Sequence, residues 1–250
     1  LVITITRIFP INCVWFLTSV YFQYINLCLY CWFCYDGTRR TLIISDLKLK
    51  REEVITSSLF LYKDFKMIKY LITDPKYYTN DEKKFEEILI NVLNKHQIEI
   101  ACFRDKESGN FEEIAKIFIK ICKEKNIENI LLNGNFSLAH KLNATGVHLT
   151  STQFDDILKA KELGLYVIIS CHTFEDIQKA IDYQADAVTY SPIFETPNKG
   201  LPKGITSLNE AVEKYENINI IALGGIINNE QIEQISKTKA YGFASIRYFV

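Results

Sequence analysis

From Met67 to the C-terminus, short apolar runs alternate with longer stretches whose apolar residues recur every three or four positions. The runs KYLIT (Lys69–Thr73), EIACF (Glu99–Phe103), NILLN (Asn129–Asn133) and GVHL (Gly146–Leu149) read as buried strands. So do YVIIS (Tyr166–Ser170), AVTY (Ala187–Tyr190), NIIAL (Asn219–Leu223) and GFASI (Gly242–Ile246). Between them lie helical patterns, such as Phe85, Ile88, Leu89, Val92 and Leu93 behind a cap at Asn80 or Asp81. Phe111, Ile114, Ile117, Phe118 and Ile121 mark a second; shorter ones fall at 138–142, around Ile157 and Leu163, and at Phe174, Ile177, Ala180 and Ile181. Further helices are expected over 208–215 and 232–235. Strand-then-helix repetition implies a parallel sheet, and eight units favour closure into a (β/α)8 TIM barrel over an open doubly wound sheet. No helical pattern follows the eighth strand before Val250, so the expectation is a barrel that lacks its last helix or closes imperfectly.

The first 66 residues follow another pattern. They hold no alanine or histidine, both tryptophans, and four of the 7 cysteines. From Ile8 to Tyr35 nothing is charged, with Arg7 on one flank and Arg39 and Arg40 on the other. A run of that length suits a membrane anchor, although it is dense in Phe, Tyr, Asn and Thr. A cleaved signal peptide fits badly, because the run is too long and no small-residue cleavage site follows. The chain opens on Leu, and its one methionine, Met67, opens the ordered pattern. The preferred reading is that 1–66 is upstream sequence translated through a gene-start error, outside the folded domain 67–250. A membrane enters only if residues 8–35 are truly expressed. Cys28, Cys31 and Cys34 have metal-like spacing but no fourth ligand nearby, except Cys13.

A net charge of −1 argues against a general nucleic-acid binder, which needs a basic surface. Cys102, Cys122 and Cys171 fall in apolar segments and read as buried thiols in a reducing cytosol.

Ligands of such barrels meet the loops that leave the C-terminal strand ends, and phosphates favour the loops after strands seven and eight. There the sequence places Gly224-Gly225 before a helix start at Asn228-Asn229, and Arg247 just past strand eight. Glycine lets backbone N–H groups approach an oxyanion, a helix N-terminus adds partial positive charge, and arginine is a forked donor. Strand two ends in Arg104, Asp105 and Lys106, with 104 and 106 on one side of an extended chain. Strand three ends at Asn133, and strand five at Ser170 with His172 beyond. The loop TYSPIFETPNKG (Thr189–Gly200) after strand six offers Thr196, Asn198 and Lys199. Together these tips suit a ligand with two anionic ends.

The order YLITD, FRDK, LNGN, GVHL, SCHT, SPIFETPNKG and ALGGI resembles the thiamine phosphate synthase and thiazole tautomerase superfamily across Met67–Val250. GVHL and the P-x-F-x-T-x-x-K-G loop are its most specific pieces. The resemblance implies a cytoplasmic transferase that joins a pyrimidine methyl diphosphate to a thiazole phosphate and releases pyrophosphate with Mg2+ and cationic help. It implies that Arg104 and Lys106 hold the pyrimidine diphosphate and that Asn133 and Ser170 contact substrate. Thr196, Asn198 and Lys199 match the loop shared by diphosphate and thiazole phosphate; Gly225, Ile246 and Arg247, beside Gly224, match the thiazole phosphate cup. Departures are equally specific. Gly134 stands where the synthases carry a metal-binding acid, no carboxylate follows GVHL until Asp155 and Asp156, and Cys102 replaces a usual Gln. Asn133-Gly134 and FETPNKG look more like the tautomerase branch, yet that branch's histidine after strand six is Pro192 here. The alternatives are therefore a tautomerase-like enzyme, with His172 as the histidine best placed to serve, or a non-catalytic binder of phosphorylated intermediates.

Overall fold

The computed structural model describes residues 67–105, 109–197 and 199–250 with their side chains. The chain divides into two units, Leu1–Phe65 and Lys66–Val250. In the first, only the backbones of Ile3–Ile8, Trp15–Tyr21, Cys28–Tyr35 and Arg40–Ile44 are described, as one antiparallel sheet paired in chain order. The cysteine side chains of the spaced trio and the anchor reading of 8–35 lie outside what is described. Among the described residues, no helix is long and apolar enough to cross a membrane.

In the second unit the expected strands appear, numbered here from the first strand of the barrel. They are β1 Ile68–Ile72, β2 Ile100–Phe103, β3 Asn129–Asn133, β4 Gly146–Leu149, β5 Tyr166–Cys171, β6 Ala187–Tyr190, β7 Asn219–Leu223 and β8 Gly242–Ser245. All pair in parallel, and β8 joins β1 in the register Gly242↔Ile68, so the barrel closes fully. The expected imperfect closure is thus corrected: closure needs only that β8 pair with β1, and a short 3-10 turn, Arg247–Phe249, follows β8 in place of a long helix.

The helices are α1 Pro75–Tyr78, α2 Glu82–Lys95, α3 Phe111–Glu124, α4 Phe136–Lys141, α5 Ile157–Glu162, α6 Phe174–Asp182, α7 Gly204–Lys214 and α8 Asn229–Ser236. α1 was not expected; Asp74 caps it by accepting the Lys76 N–H, and Pro75 sits where a helix tolerates it. Strand alternation then sorts side chains into two layers. Outward residues such as Leu71, Ala101, Leu132, Val147 and Ile169 pack against buried helix residues including Phe85, Ile114, Phe118 and Ile177. Inward residues form a second cluster of Tyr70, Ile72, Ile100, Cys102, Leu131, Ile168, Ala187, Ile221 and Ala244, so the interior is a packed core.

Candidate active site

Alternation carries this inward set to the C-terminal mouth. Arg104 follows Cys102 by two residues, Asn133 follows Leu131, Ser170 follows Ile168, and Ile246 follows Ala244, so all four share the inward side. Arg104 is not a free cation, however. Its Nη1 pairs with Asp74 Oδ2, and its backbone N–H donates to Thr73 Oγ1 at 2.9 Å. One charge–charge bond thus ties the tips of β1 and β2 and offsets the positive charge expected at this point. Asn133 donates from Nδ2 to the His148 carbonyl at 3.0 Å, which leaves its own carbonyl oxygen available.

His148 was missed as a site residue, and the reading of His172 as the one well-placed histidine is corrected here. In GVHL, Val147 and Leu149 face the helices, so His148 faces the interior, where it is 3% exposed. Alternation within that strand was the signal that pointed to it. Its Nδ1 lies 2.8 Å from Tyr70 Oη, and its Nε2 lies 3.0 Å from Ser170 Oγ and 3.4 Å from Thr189 Oγ1. Burial, aided by the Arg104 charge, lowers its pKa from 6.5 to about 4, so the imidazole is neutral near pH 7. Burial likewise pushes the Cys102 thiol up to about 12. Cys122 and Cys171 are also buried, free and raised, so the expected inert thiols are found.

His172 lies two residues beyond Ser170, half-buried at the rim. Its backbone N–H donates to Asp176 Oδ2 at 2.7 Å within the capping box of α6, and its Nδ1 is 3.0 Å from the Ser191 carbonyl oxygen. With Nδ1–H donating to that carbonyl, Nε2 is the ring atom left as an acceptor.

Across the mouth, the loop after β6 sits directly on the bend after β7. The N–H groups of Ile193 and Phe194 donate to the carbonyls of Leu223 and Gly224 at 2.9 and 3.0 Å. Gly224 and Gly225 have φ of 98° and 72°. A Cβ on Gly225 would stand 2.5 Å from the Glu195 carbonyl oxygen, and one on Gly224 would come within 3.4 Å of Thr196 Oγ1. The glycines therefore admit the loop as well as any ligand. Among the described residues, no protein acceptor takes the N–H of Gly225 or of Ile246. The start of α8 contributes less than expected: Gln231 Oε1 already accepts from Ile227 N–H at 2.7 Å and Asn228 N–H at 3.3 Å.

Thr196 Oγ1 donates to Phe194 O at 3.0 Å, and Lys199 is exposed, with no ion pair among the described residues. Arg247 begins the closing 3-10 turn, half-buried and likewise without an ion pair among the described residues. Lys106 and Asn198 lie outside the described residues.

The residues at β3 and β4 do not fit Mg2+, which prefers several oxygen ligands including carboxylates. Next to Gly134 stands Gln153, whose Nε2 donates to the Gly134 carbonyl at 2.8 Å. Its Oε1 accepts from the Thr150 N–H at 3.1 Å and from the Thr150 hydroxyl at 2.9 Å. A neutral amide, already bonded at both ends, fills that corner. Asp156 pairs with Lys159 at 2.9 Å and Asp155 accepts from the Tyr183 hydroxyl at 3.2 Å. No group of three or more His, Cys, Asp or Glu among the described residues could hold a metal.

Fold and rim together define a class: a closed (β/α)8 barrel whose open N–H groups near β7 and β8 face a polar, partly cationic mouth. Residues 69–249 match the family model described as thiamine monophosphate synthase. The putative thiamine-phosphate synthase 2 of Aquifex aeolicus is 34% identical over 72% of this chain and 96% of its own length. The thiamine-phosphate synthase of Lysinibacillus sphaericus is 30% identical over 59% of the chain and 73% of its own. The thiamine phosphate pyrophosphorylase structure from Pyrococcus furiosus superposes with a TM-score of 0.62 at 24% identity, covering 72% of this chain and 85% of that one, a likeness of fold. The chain belongs to the thiamine monophosphate synthase family. Its role is in thiamine biosynthesis, as an enzyme of the synthase type.

Proposed function

We propose that residues 67–250 join a pyrimidine methyl diphosphate to a thiazole phosphate in the cytoplasm. In that reaction the carbon–oxygen bond of the pyrimidine methylene breaks, its electron pair leaves with pyrophosphate, and the thiazole nitrogen lone pair forms the new bond to carbon. The chain contributes charge stabilisation and positioning. The N–H groups of Gly225 and Ile246, with Arg247, would take the thiazole phosphate; Thr196, Asn198 and Lys199 would lie between the two phosphate groups. Lys106 and the donors of Arg104 not spent on Asp74 would face the diphosphate, and Asn133 and Ser170 the pyrimidine. The observation that carries this reading is the pair of unbonded backbone N–H groups beside a loop seated on the Gly224-Gly225 bend. Mg2+ is assigned no part, because the side chains at β3 and β4 do not suit it.

The test is to incubate the full chain with both substrates, with and without Mg2+, and measure thiamine phosphate. Product above the blank is expected; its absence under both conditions ends this reading.

One observation favours a second activity. With a neutral amide where a metal-binding acid is expected, and His172 Nε2 left as an acceptor, proton transfer on the thiazole phosphate is open to this rim. His172→Asn should then slow tautomerisation of the thiazole phosphate about 100-fold or more. An unchanged rate removes His172 from the chemistry.

A further inference from the structure

The inward layer is built from Ile, Leu and Ala except along one line of polar atoms: Tyr70 on β1, His148 on β4, Ser170 on β5 and Thr189 on β6. A buried imidazole is costly unless both ring nitrogens are bonded, and here both are. One end of the line is closed, since Tyr70 is 0% exposed. The other end is open, since Ser170 is half-buried at the mouth and its hydroxyl has no other protein partner among the described residues.

Bond polarity along this line follows from the chemistry of its ends. A phenol is a good donor and an imidazole nitrogen a good acceptor, so the 2.8 Å contact is O–H···Nδ1. The reverse polarity would send the phenol hydrogen to Cys102 Sγ, its polar neighbour, which accepts weakly. With Nδ1 accepting, Nε2 carries the proton and donates to Ser170 Oγ, with Thr189 as a longer second acceptor. The serine oxygen is then already an acceptor inside the barrel, and its own hydrogen is free to turn outward.

We propose that His148 is a positioning residue: Tyr70 holds it in the Nε2–H tautomer, and it fixes Ser170 as a hydrogen-bond donor toward the mouth. The partner is an acceptor atom of a heteroaromatic ring, such as a pyrimidine nitrogen. This rests on the proposed function only for the identity of the ring. Tyr70 and His148 touch no substrate and act through Ser170.

Two measurements test it on the full chain. Long-range proton–nitrogen correlation spectra of the His148 ring should show the proton on Nε2; a ring protonated on Nδ1 overturns the proposal, whatever the variants do. Calorimetry with pyrophosphate and with the pyrimidine methyl diphosphate should then compare wild type, Tyr70→Phe, Ser170→Ala and the double variant. Each single change should weaken the pyrimidine ester about tenfold and leave pyrophosphate unaffected, with the double variant no weaker than Ser170→Ala. A role confined to core filling would lower both ligands together or neither, and either result overturns the proposal. If wild type binds pyrophosphate but not the pyrimidine ester, the substrate assignment fails, and the ring spectrum still decides whether Tyr70 sets the tautomer.

Discussion

Two corners of the barrel mouth are built around glycine and put it to opposite use. At β3 and β4, Gly134 has φ of 75°, and its carbonyl is bonded to Gln153, which also bonds Thr150. A Cβ there would meet nothing closer than Gln153 Oε1 at 3.6 Å. At β7, Gly225 has φ of 72° and stands so close to Phe194 and Glu195 that a Cβ would collide with backbone. The first corner satisfies its own polar groups and leaves little for a ligand. In the second, backbone meets backbone while N–H groups remain unbonded. Similar φ values thus describe a closed corner and an open one, and the difference lies in what is left to bond.

The comparison is broken most severely at the open corner. Gly225→Val combines a positive φ, which β-branched residues resist, with a 2.5 Å clash, and should cost about 3 kcal/mol or more in denaturant unfolding. Phosphate binding should be lost with it. A stability within about 0.5 kcal/mol of wild type would show that the loop yields freely.

Next in size is a pH effect from the polar line that lies inside the barrel between the two corners. His148 titrates at 6.5 when unfolded and at about 4 when folded, so the unfolded chain binds the extra proton in that window. Stability is therefore full above pH 6.5 and falls as the pH drops toward 4, by about 3 kcal/mol at most from this group. Thermal midpoints of wild type and His148→Gln, followed across that window, should differ in slope, with the variant flatter. Parallel curves would mean the buried imidazole titrates normally.

Lys199→Ala sharpens the open side. If the lysine pairs directly with phosphate, the loss should be about 1.5–3 kcal/mol by calorimetry, and an unaffected affinity would mark the loop as a plain connection. The smallest effect belongs to the closed corner. Gly134→Ala should cost about 1 kcal/mol, the penalty for a positive φ without a clash. A cost as large as that at Gly225 would show that the corner is tighter than its geometry indicates.

Much of this was legible in the chain. Apolar alternation located all eight strands to within a residue or so at each end, because a strand buried on both faces must be apolar throughout. Parity alone placed Arg104, Asn133, Ser170 and Ile246 on one side of the wall. Other features were not legible because they depend on partners far apart in sequence. Arg104 reads as a free cation until Asp74, thirty residues earlier, is found bonded to it. His148 reads as part of a motif until Tyr70 and Ser170 close on its two nitrogens. Gln153 is an ordinary amide until it reaches Gly134.

Periodicity of side chains is a local property, so the order of residues alone determined a closed (β/α)8 barrel with polar strand tips at one end. Whether a given tip is spent on a neighbour or left for a ligand is a property of distances across the barrel. Only the tertiary structure decided that, because a hydrogen bond forms or fails within a few tenths of an ångström.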